Sequence, residues 1–314
     1  MLGEPARHYR FEELSDGVYA AIARPDGYAI CNSGLVDLGD GRLVFDTGLT
    51  PDSAVELRAQ ATRILGGAPS VAVSSHRHLD HIVGNSEFAT APIWGTRRTR
   101  EILLETKDRL LAEVSRESLE KEVSELEGLE ATMTTDDQRS DLAFNLLLDR
   151  ALLSCAGRIT IVPPDHTFDT RLPLPGSRTA ELVSLGSGHT EADAFLFLPE
   201  EKLLFAGDLV VLGVQPSLGS SDPEHWITVL DQLEGFGAER IVPGHGDVAT
   251  VEGIRETRDY LSGVLEAARA PRGAPLPTEI RRWEGSVTLE SNLAYARAWV
   301  ARESERVSRA GPPT

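Results

Sequence analysis

The chain has 314 residues, of which 41% are hydrophobic and 25% are charged. These fractions are ordinary for a folded globular protein, so they exclude a fibrous repeat and a disordered chain. The formal net charge is −18, from 31 basic and 49 acidic residues. A field of this sign repels phosphate backbones, so we expect no nucleic-acid partner. Two cysteines, Cys31 and Cys155, are too few for a disulfide framework or a cysteine-type zinc site.

Neither a membrane partner nor export is expected from the sequence. No stretch approaches the roughly 20 apolar residues that a bilayer-spanning helix needs. The first 17 residues lack a basic region followed by an apolar one, which is the pattern of a secretory signal. We therefore expect a cytoplasmic protein, and we treat residues 1–314 as a single domain.

The residue pattern in the first third of the chain predicts β-strands. The N-terminal segment before them, which includes His8, is expected to be frayed. Strands are predicted at residues 17–23, 31–38 and 42–45, with Asp40-Gly41 as a hairpin turn. Apolar residues at three- and four-residue spacing predict a helix over residues 51–65. A short, fully apolar strand follows at residues 70–74.

Residues 97–153 differ from the rest, because they are rich in glutamate and strongly helical. We interpret them as a helical insertion that serves as a lid over the site, as a dimer element or as a solvated arm. Regular alternation of strands and helices returns after it: strands at 159–162, 181–185, 194–198 and 203–205, then helices at 223–233 and 251–270. Residues 271–314 form a C-terminal helical extension, with a linker at 271–277 and a last helix at 289–307.

The string His76-Arg77-His78-Leu79-Asp80-His81 carries the strongest chemical signal. Imidazole and carboxylate are ligands that divalent zinc, iron and manganese accept. His76 and His78 are two residues apart, so an extended loop lets them chelate one ion. Asp80 and His81 are adjacent, and a turn after His78 lets them face a second ion.

Three more residues of the same types follow predicted strands and lie beside glycine: His189, Asp208 and His245. Each alone would be an ordinary loop residue or helix cap. Together they are informative, because glycine lets the backbone turn sharply and lets an ion approach. Strand ends that meet at one edge of a sheet are a common place for a functional site.

The set of His76-x-His78-x-Asp80-His81, His189, Asp208 and His245 resembles the full metal signature of the metallo-β-lactamase superfamily. The order and context are most similar to its glyoxalase II-like branch, and the resemblance covers about residues 17–249 apart from the insertion. It implies an α/β fold, a four-layer αββα sandwich, with the helical insertion and C-terminal helices added to it.

The resemblance also implies a role for each candidate ligand: His76, His78 and His189 hold one ion, Asp80, His81 and His245 hold a second, and Asp208 bridges both. Asp46, in Phe45-Asp46-Thr47-Gly48, matches an early aspartate of the family. It is expected to orient ligand imidazoles by hydrogen bonding. Two divalent ions are expected, zinc first, with iron and manganese as alternatives.

The expected function is a metal-dependent hydrolase in which a metal-bridged hydroxide cleaves an ester, lactone, thioester or related bond of a small molecule. Asp80 and Asp208 are the residues expected to take part in catalysis, Asp80 by passing a proton to the leaving group. A homodimer is the expected assembly if the insertion is a dimer element.

Other functions fit parts of the pattern. A persulfide dioxygenase-type oxidoreductase resembles the motif but holds one iron, and β-lactam hydrolysis is a further alternative. Acyl-homoserine lactone lactonases carry a tyrosine three residues after the bridging aspartate, where this chain has Val211. A non-catalytic relative would have lost ligands, and none is lost here.

Overall fold

A computed structural model of the protein describes residues 6–310. Within that range the strands form two sheets. The first has seven strands in the order β1 to β7 and the second five in the order β12-β11-β10-β9-β8. The strands of the first sheet are β1 (Tyr9–Ser15), β2 (Val18–Ala23), β3 (Ser33–Asp37), β4 (Arg42–Phe45), β5 (Val71–Val73), β6 (Ile93–Thr96) and β7 (His166–Phe168). Those of the second are β8 (Arg171–Pro173), β9 (Glu181–Val183), β10 (Phe195–Leu198), β11 (Leu203–Val211) and β12 (Arg240–His245).

The helices fall into three groups along the chain. Those of the first sheet's half are α1 (Pro51–Ile64), α2 (Leu79–Ile82) and α3 (Asn85–Phe88). Those of the insertion are α4 (Arg97–Glu113), α5 (Arg116–Leu129) and α6 (Asp136–Cys155). Those of the second half are α7 (Pro223–Glu234), α8 (Val251–Arg269), α9 (Thr278–Arg281) and α10 (Val287–Ala310).

The two sheets pack face to face, and helices cover their outer faces. Phe45 of β4 and Phe205 of β11 meet between the sheets, with ring centroids 6.1 Å apart. Gly34 of β3 makes room for this contact, since a Cβ there would lie 2.7 Å from the Phe205 ring. Helix α1 packs on the outer face of the first sheet, and α7 and α8 pack on the outer face of the second. The predicted αββα sandwich is confirmed.

Parallel strand pairs bring the functional loops to one edge of the sandwich. β4 pairs in parallel with β5, and β11 pairs in parallel with β12. Asp46 directly follows β4, the loop of His76 follows β5, and His245 is the last residue of β12. Because parallel strands end at the same edge of a sheet, these residues lie together even though 199 positions separate the first from the last in sequence.

The helical insertion lies between β6 and β7 and packs on the sandwich. Its side chains Ile102, Leu103 and Val114 are buried, whereas Leu104 and Leu111 of α4 are 49% and 37% exposed. Asp141 of α6 is buried. Its Oδ1 accepts a hydrogen bond from Nε2 of Gln215, at 2.8 Å. The insertion is therefore attached to the loop that follows β11, and the dimer alternative stays a prediction.

Three expectations about local structure were wrong. His8 is not frayed, because it is buried and its Nδ1 accepts from the Tyr28 backbone N–H at 3.0 Å, and β1 follows it. Residues 159–162 are not a strand, since the Pro163-Pro164 pair after them lacks the N–H groups that a ladder needs. The strand predicted at 203–205 continues to Val211, with irregular register around Gly207.

The C-terminal helices pack on α8. Asn292 of α10 donates from Nδ2 to the hydroxyl of Tyr260 at 2.8 Å, and Tyr260 donates to Oε1 of Gln215 at 3.0 Å. This buried network links α8, α10 and the loop after β11. Within the described residues, no helix is long and apolar enough to cross a membrane.

The stability of the insertion is expected to depend on pH through Asp149 of α6. Burial raises the pKa of its carboxyl to about 6, and the carboxylate of Glu122 on α5 adds to the rise. Because the folded-state pKa lies above the unfolded one, protonated Asp149 stabilises the fold below pH 4, and this stabilisation is lost as the pH rises through 6. We expect Asp149→Asn to raise the free energy of unfolding at pH 7.5 by about 1 kcal/mol or less, since the side chain is half-exposed and screened.

Thermal unfolding at pH 7.5 and 4.5 checks this expectation. The difference in melting temperature between Asp149→Asn and the natural chain should be about 1 to 2 °C at pH 7.5 and roughly a third of that at pH 4.5, where the carboxyl is protonated in the folded protein but largely ionised in the unfolded chain. Asp108→Asn, at an exposed position of α4, is the matched control and should change little at either pH. A destabilised Asp149→Asn at pH 7.5 would contradict the assignment.

Candidate metal centre

The seven predicted ligands meet at the edge where β5, β11 and β12 end. Donor atoms of four of them lie within 4.8 Å of one another and form the first donor group: His76, His78, His189 and Asp208. Those of the other three lie equally close and form the second donor group: Asp80, His81 and His245. Nearly all of these residues are buried, and His78 is partly exposed. The structure therefore brings together every residue of the set that the sequence singles out.

Asp208 connects the two groups through its two carboxylate oxygens. Its Oδ2 lies 3.2 Å from Nε2 of His189 and 3.9 Å from Nε2 of His76, both in the first group. Its Oδ1 lies 3.2 Å from Nε2 of His81 and 3.3 Å from Nε2 of His245, both in the second. One oxygen for each group is the arrangement that a bridging carboxylate requires.

The His76–His81 string reaches both groups because its backbone changes direction at His78. His76 and His78 lie in the extended loop after β5, and His78 is the N-cap of the short helix α2. Asp80 and His81 lie in the first turn of α2, so their side chains point away from those of the preceding loop. Asp80 Oδ2 lies 3.4 Å from His81 Nε2 and 3.3 Å from His245 Nε2.

Asp46 orients His81 through the ring nitrogen that faces away from the other donors. Its Oδ2 lies 2.8 Å from Nδ1 of His81, and its Oδ1 accepts from the Ser75 backbone N–H at 2.7 Å. An ionised carboxylate only accepts hydrogen bonds, so Nδ1 of His81 carries the proton and Nε2 is left with a free lone pair toward the donors. Asp46 has a positive φ of 58°, a conformation that Asp and Asn tolerate better than most residues.

Three of the other four imidazoles are also oriented by a contact on the side that faces away from the donors; in His189 that nitrogen, Nδ1, has no hydrogen-bond partner among the described residues. Nδ1 of His76 contacts the Ser75 hydroxyl at 2.9 Å, and Nε2 of His78 contacts the Ser220 hydroxyl at 3.2 Å. Nδ1 of His245 donates to the backbone carbonyl of Ile30 at 3.2 Å. Such contacts fix the ring and raise the basicity of the free nitrogen.

The charges of the site favour cations. Burial by itself raises the pKa of the Asp208 carboxyl, but the imidazoles of His245 and His81 outweigh it and hold the pKa well below its usual value. Burial lowers the pKa of His78 to about 3, so its ring is neutral at pH 7. Burial also lowers the pKa of His245, but the carboxylates of Asp208 and Asp80 outweigh it and raise the pKa to about 10. The two buried carboxylates therefore favour a positive charge at this position, which a bound metal ion would supply in place of a proton on the ring.

The donor set fits divalent metal ions. Three of its atoms are buried and have no hydrogen-bond partner within the described part of the chain: Nε2 of His76, Nε2 of His81 and Oδ1 of Asp208. Buried polar atoms normally have partners, and lone pairs that converge without one are costly. A cation shared by these atoms removes that cost, and histidine with carboxylate is a donor set that zinc, iron and manganese accept.

Glycine next to the donors allows the two strands of the second sheet to approach. A Cβ at Gly244, just before His245, would lie 1.9 Å from Oδ1 of Asp208. Gly207, just before Asp208, has a positive φ of 53°, and a Cβ there would lie 2.7 Å from Cβ of Ser75. The Asp208 carboxylate can therefore occupy its position only because Gly207 and Gly244 lack a side chain.

A cavity, which we call the inner cavity, lies beside the donors. It has a volume of about 310 Å³ and opens onto five of the candidate ligands, His78, Asp80, His189, Asp208 and His245. The insertion contributes Phe144, Leu148 and Leu152 of α6 to its wall. Among the described residues, no side chain of α4 or α5 lines it. Val211 of β11 also lies in the wall, at the position where the lactonases carry tyrosine.

Several residues that shape the site were not found by sequence reasoning. Ser75 directly precedes His76, so its position was a usable signal. Ser220 and Gln215 lie in the loop after β11, and nothing in that loop's sequence marks them. The Ile30 carbonyl cannot be found from side-chain patterns, although Ile30 has an unusual positive φ of 68°. Cys31 is also buried, and burial raises the pKa of its thiol to about 12.

The fold and the two donor groups define a class of protein, and comparison with known families agrees with it. The family model described as Metallo-beta-lactamase superfamily matches residues 26–245. The chain therefore belongs to the metallo-β-lactamase superfamily.

Similar proteins of known structure share its fold. The metallo-beta-lactamase from Pontibacter korlensis is 19% identical with a TM-score of 0.58, over 81% of this chain and 99% of the other. The DIM-1 metallo-beta-lactamase is 17% identical with a TM-score of 0.57, over 81% of this chain and 97% of the other. At such identities the likeness shows the fold alone.

Two curated proteins are similar in sequence. The metallo-beta-lactamase type 2 of Bacteroides fragilis is 28% identical over 114 residues, which are 34% of this chain and 46% of that protein. The linear primary-alkylsulfatase of a Pseudomonas species is 23% identical over 252 residues, which are 73% of this chain and 44% of that protein. The chain thus matches less than half the length of these relatives.

Proposed function

We propose that the protein is a dinuclear metallohydrolase that cleaves an ester, lactone, thioester or related bond of a small molecule. The observation that carries the proposal is the position of Asp208, whose two carboxylate oxygens each face imidazole nitrogens of a different donor group. The names of the relatives support hydrolysis as the reaction class, and the glyoxalase II-like branch is our proposal from the motif context. The acidic chain, with its net charge of −18, supports a small-molecule substrate.

His76, His78 and His189 would hold one ion, Asp80, His81 and His245 the other, and Asp208 both. Two divalent ions bound there would lower the pKa of a water molecule and polarise the substrate oxygen. Zinc is the ion we propose, because it accepts these ligands and tolerates open coordination positions.

The chain's own residues supply orientation and proton transfer. Asp46 keeps the proton of His81 on Nδ1, so that Nε2 faces the donors. Asp80 lies between His81 and His245 and lines the inner cavity, where its carboxylate can pass a proton to a leaving group. The apolar side chains of α6 and Leu49 restrict water in the cavity, which strengthens these electrostatic interactions.

The iron dioxygenase alternative uses one donor group. A single iron would leave the second donor group, Asp80, His81 and His245, without a function, although this group is as compact as the first. Hydrolysis by two ions uses every donor, so the structure favours it. Hydrolysis of β-lactams is a narrower version of the same reaction class and is tested with the same experiment.

The test is a panel of chromogenic substrates that includes esters, thioesters, lactones, phosphodiesters and β-lactams. The protein is treated with a chelator and then loaded separately with zinc, manganese and iron. We expect hydrolysis of a carboxylic ester, thioester or lactone by the loaded protein and none by the chelated one. Oxygen consumption with a persulfide by the iron form, without any hydrolysis, would contradict the proposal.

A further inference from the structure

The inner cavity has an apolar wall that the metal chemistry does not require. Phe144, Leu148 and Leu152 are four residues apart on α6 and so share one face of the helix. Val211, the last residue of β11, and Val214, in the loop that follows it, also line this cavity. A group that is bound here next to the reacting bond is therefore surrounded by hydrocarbon.

A second cavity adjoins the inner one and is separated from it by shared side chains. The outer cavity, of about 570 Å³, shares three lining residues with it: Phe144, Val214 and His245. Its wall adds Leu147 and Ile30, which are also apolar. The Phe144 ring stands perpendicular to the His245 ring with centroids 5.7 Å apart, so it lies at the boundary between the donors and the outer cavity.

The charged residues around both cavities do not favour a substrate whose chain carries a negative charge. Within the described residues, the inner cavity is lined by no lysine or arginine. Arg24 and Arg150 line the outer cavity, but each is paired with a carboxylate, Asp26 at 3.2 Å and Glu127 at 2.8 Å. A carboxylate or sulfate on the substrate's chain would find no free cationic side chain here.

From these observations we infer that the substrate is an uncharged ester or thioester with an apolar chain, and that Phe144 determines how long a chain is accepted. The apolar chain of the substrate lies along α6, from the donors toward the outer cavity. Hydrolysis adds the hydroxyl of water to the acyl carbon, breaks the bond from that carbon to oxygen or sulfur, and gives the proton of water to the leaving atom. This inference rests on the proposed function.

The first test is a series of 4-nitrophenyl esters with acyl chains of two to twelve carbons. Burial of each added methylene is worth about a threefold to fourfold rise in kcat/KM until the chain reaches Phe144, after which the rise ends. Phe144→Ala joins the two cavities and should move the preferred length to longer chains. Leu148→Phe fills the inner cavity and should move it to shorter ones.

Leu126→Ala is the matched control, because Leu126 is an apolar residue of α5 that contacts the insertion's own core and lines neither cavity. It should leave the preferred length unchanged. Circular dichroism of each variant checks that the fold is intact.

The second test measures binding without catalysis. Neutral 2-alkanones of increasing length cannot be hydrolysed, and calorimetry should show their affinity rising with length and shifting with Phe144→Ala. Active protein with no chain-length dependence, or a preference for alkyl sulfates over esters of equal length, would overturn the inference and leave the proposed function standing. No hydrolysis of any substrate, with alkanone binding still dependent on length, would overturn the proposed function alone.

Discussion

Replacement of Asp208 by alanine is expected to abolish hydrolysis and to leave the protein with at most one bound ion. Its two oxygens lie 3.2 Å from nitrogens of both donor groups. Without this carboxylate, two cations a few ångströms apart repel each other with no negative group between them. Loss of a residue that only orients a ligand costs about 10- to 100-fold in activity, so loss of the bridging ligand should cost at least ~10³-fold in kcat/KM.

Elemental analysis and steady-state kinetics of the same preparation check this result, with circular dichroism to show an unchanged fold. Asp247→Ala is the matched control, because Asp247 is two residues from His245 but its side chain is 84% exposed and pairs with Arg10. It should keep full activity and metal content. An Asp208→Ala protein with two ions and near-normal turnover would show that the carboxylate does not bridge.

Asp46→Asn is expected to fold but to lose most of its affinity for the ion of the second donor group. Asparagine tolerates the positive φ at this position, and its carbonyl oxygen can still accept from Ser75. Its amide, however, donates toward Nδ1 of His81, so the proton of the ring moves to Nε2. That nitrogen then points a hydrogen, not a lone pair, at the donors.

Metal titration should show affinity lowered by about 10- to 100-fold at one of two sites, with a parallel loss of kcat/KM. Asp247→Asn makes the same chemical change at an exposed position near the site and should have no effect. If Asp46→Asn bound both ions with the affinity of the natural chain, the aspartate would be a structural residue and not a positioning residue for His81.

The sequence predicted the composition of the site well, because the side-chain types that bind metal ions are few. His189, Asp208 and His245 were singled out from their glycine neighbours and predicted strand ends, and the structure brings all three to the His76–His81 loop. Asp208 is not at a strand end, since β11 continues past it. An irregular register around Gly207 turns its side chain toward the donors instead.

The walls of the site could not be predicted in the same way. Phe144 and Leu148 belong to an apolar stripe of α6, and a helical stripe shows that a face is buried but not what buries it. The strand β1 was missed because its apolar–polar alternation holds only from Tyr9 to Glu12 and breaks at Glu13, where the pairing with β2 also shifts register. These features depend on which elements come together in space, and spacing along the chain does not specify that.

The prediction that the insertion serves as a lid depends on a single helix. Of its three helices, α6 alone supplies described side chains to the inner cavity. The same helix is joined to the loop after β11 by Asp141 and Gln215. Replacing the whole of residues 97–153 would expose that buried contact, so single substitutions in α6 test the lid more cleanly than deletion does.

The number of metal ions per chain tests the central claim most directly. The protein is stripped with a chelator, reloaded with zinc, passed through a desalting column and measured by elemental analysis against an independent protein concentration. Two donor groups joined by Asp208 predict two ions per chain at saturation. A saturating value of one, with Asp80 and His245 free of metal in a structure of the loaded protein, would contradict the dinuclear site.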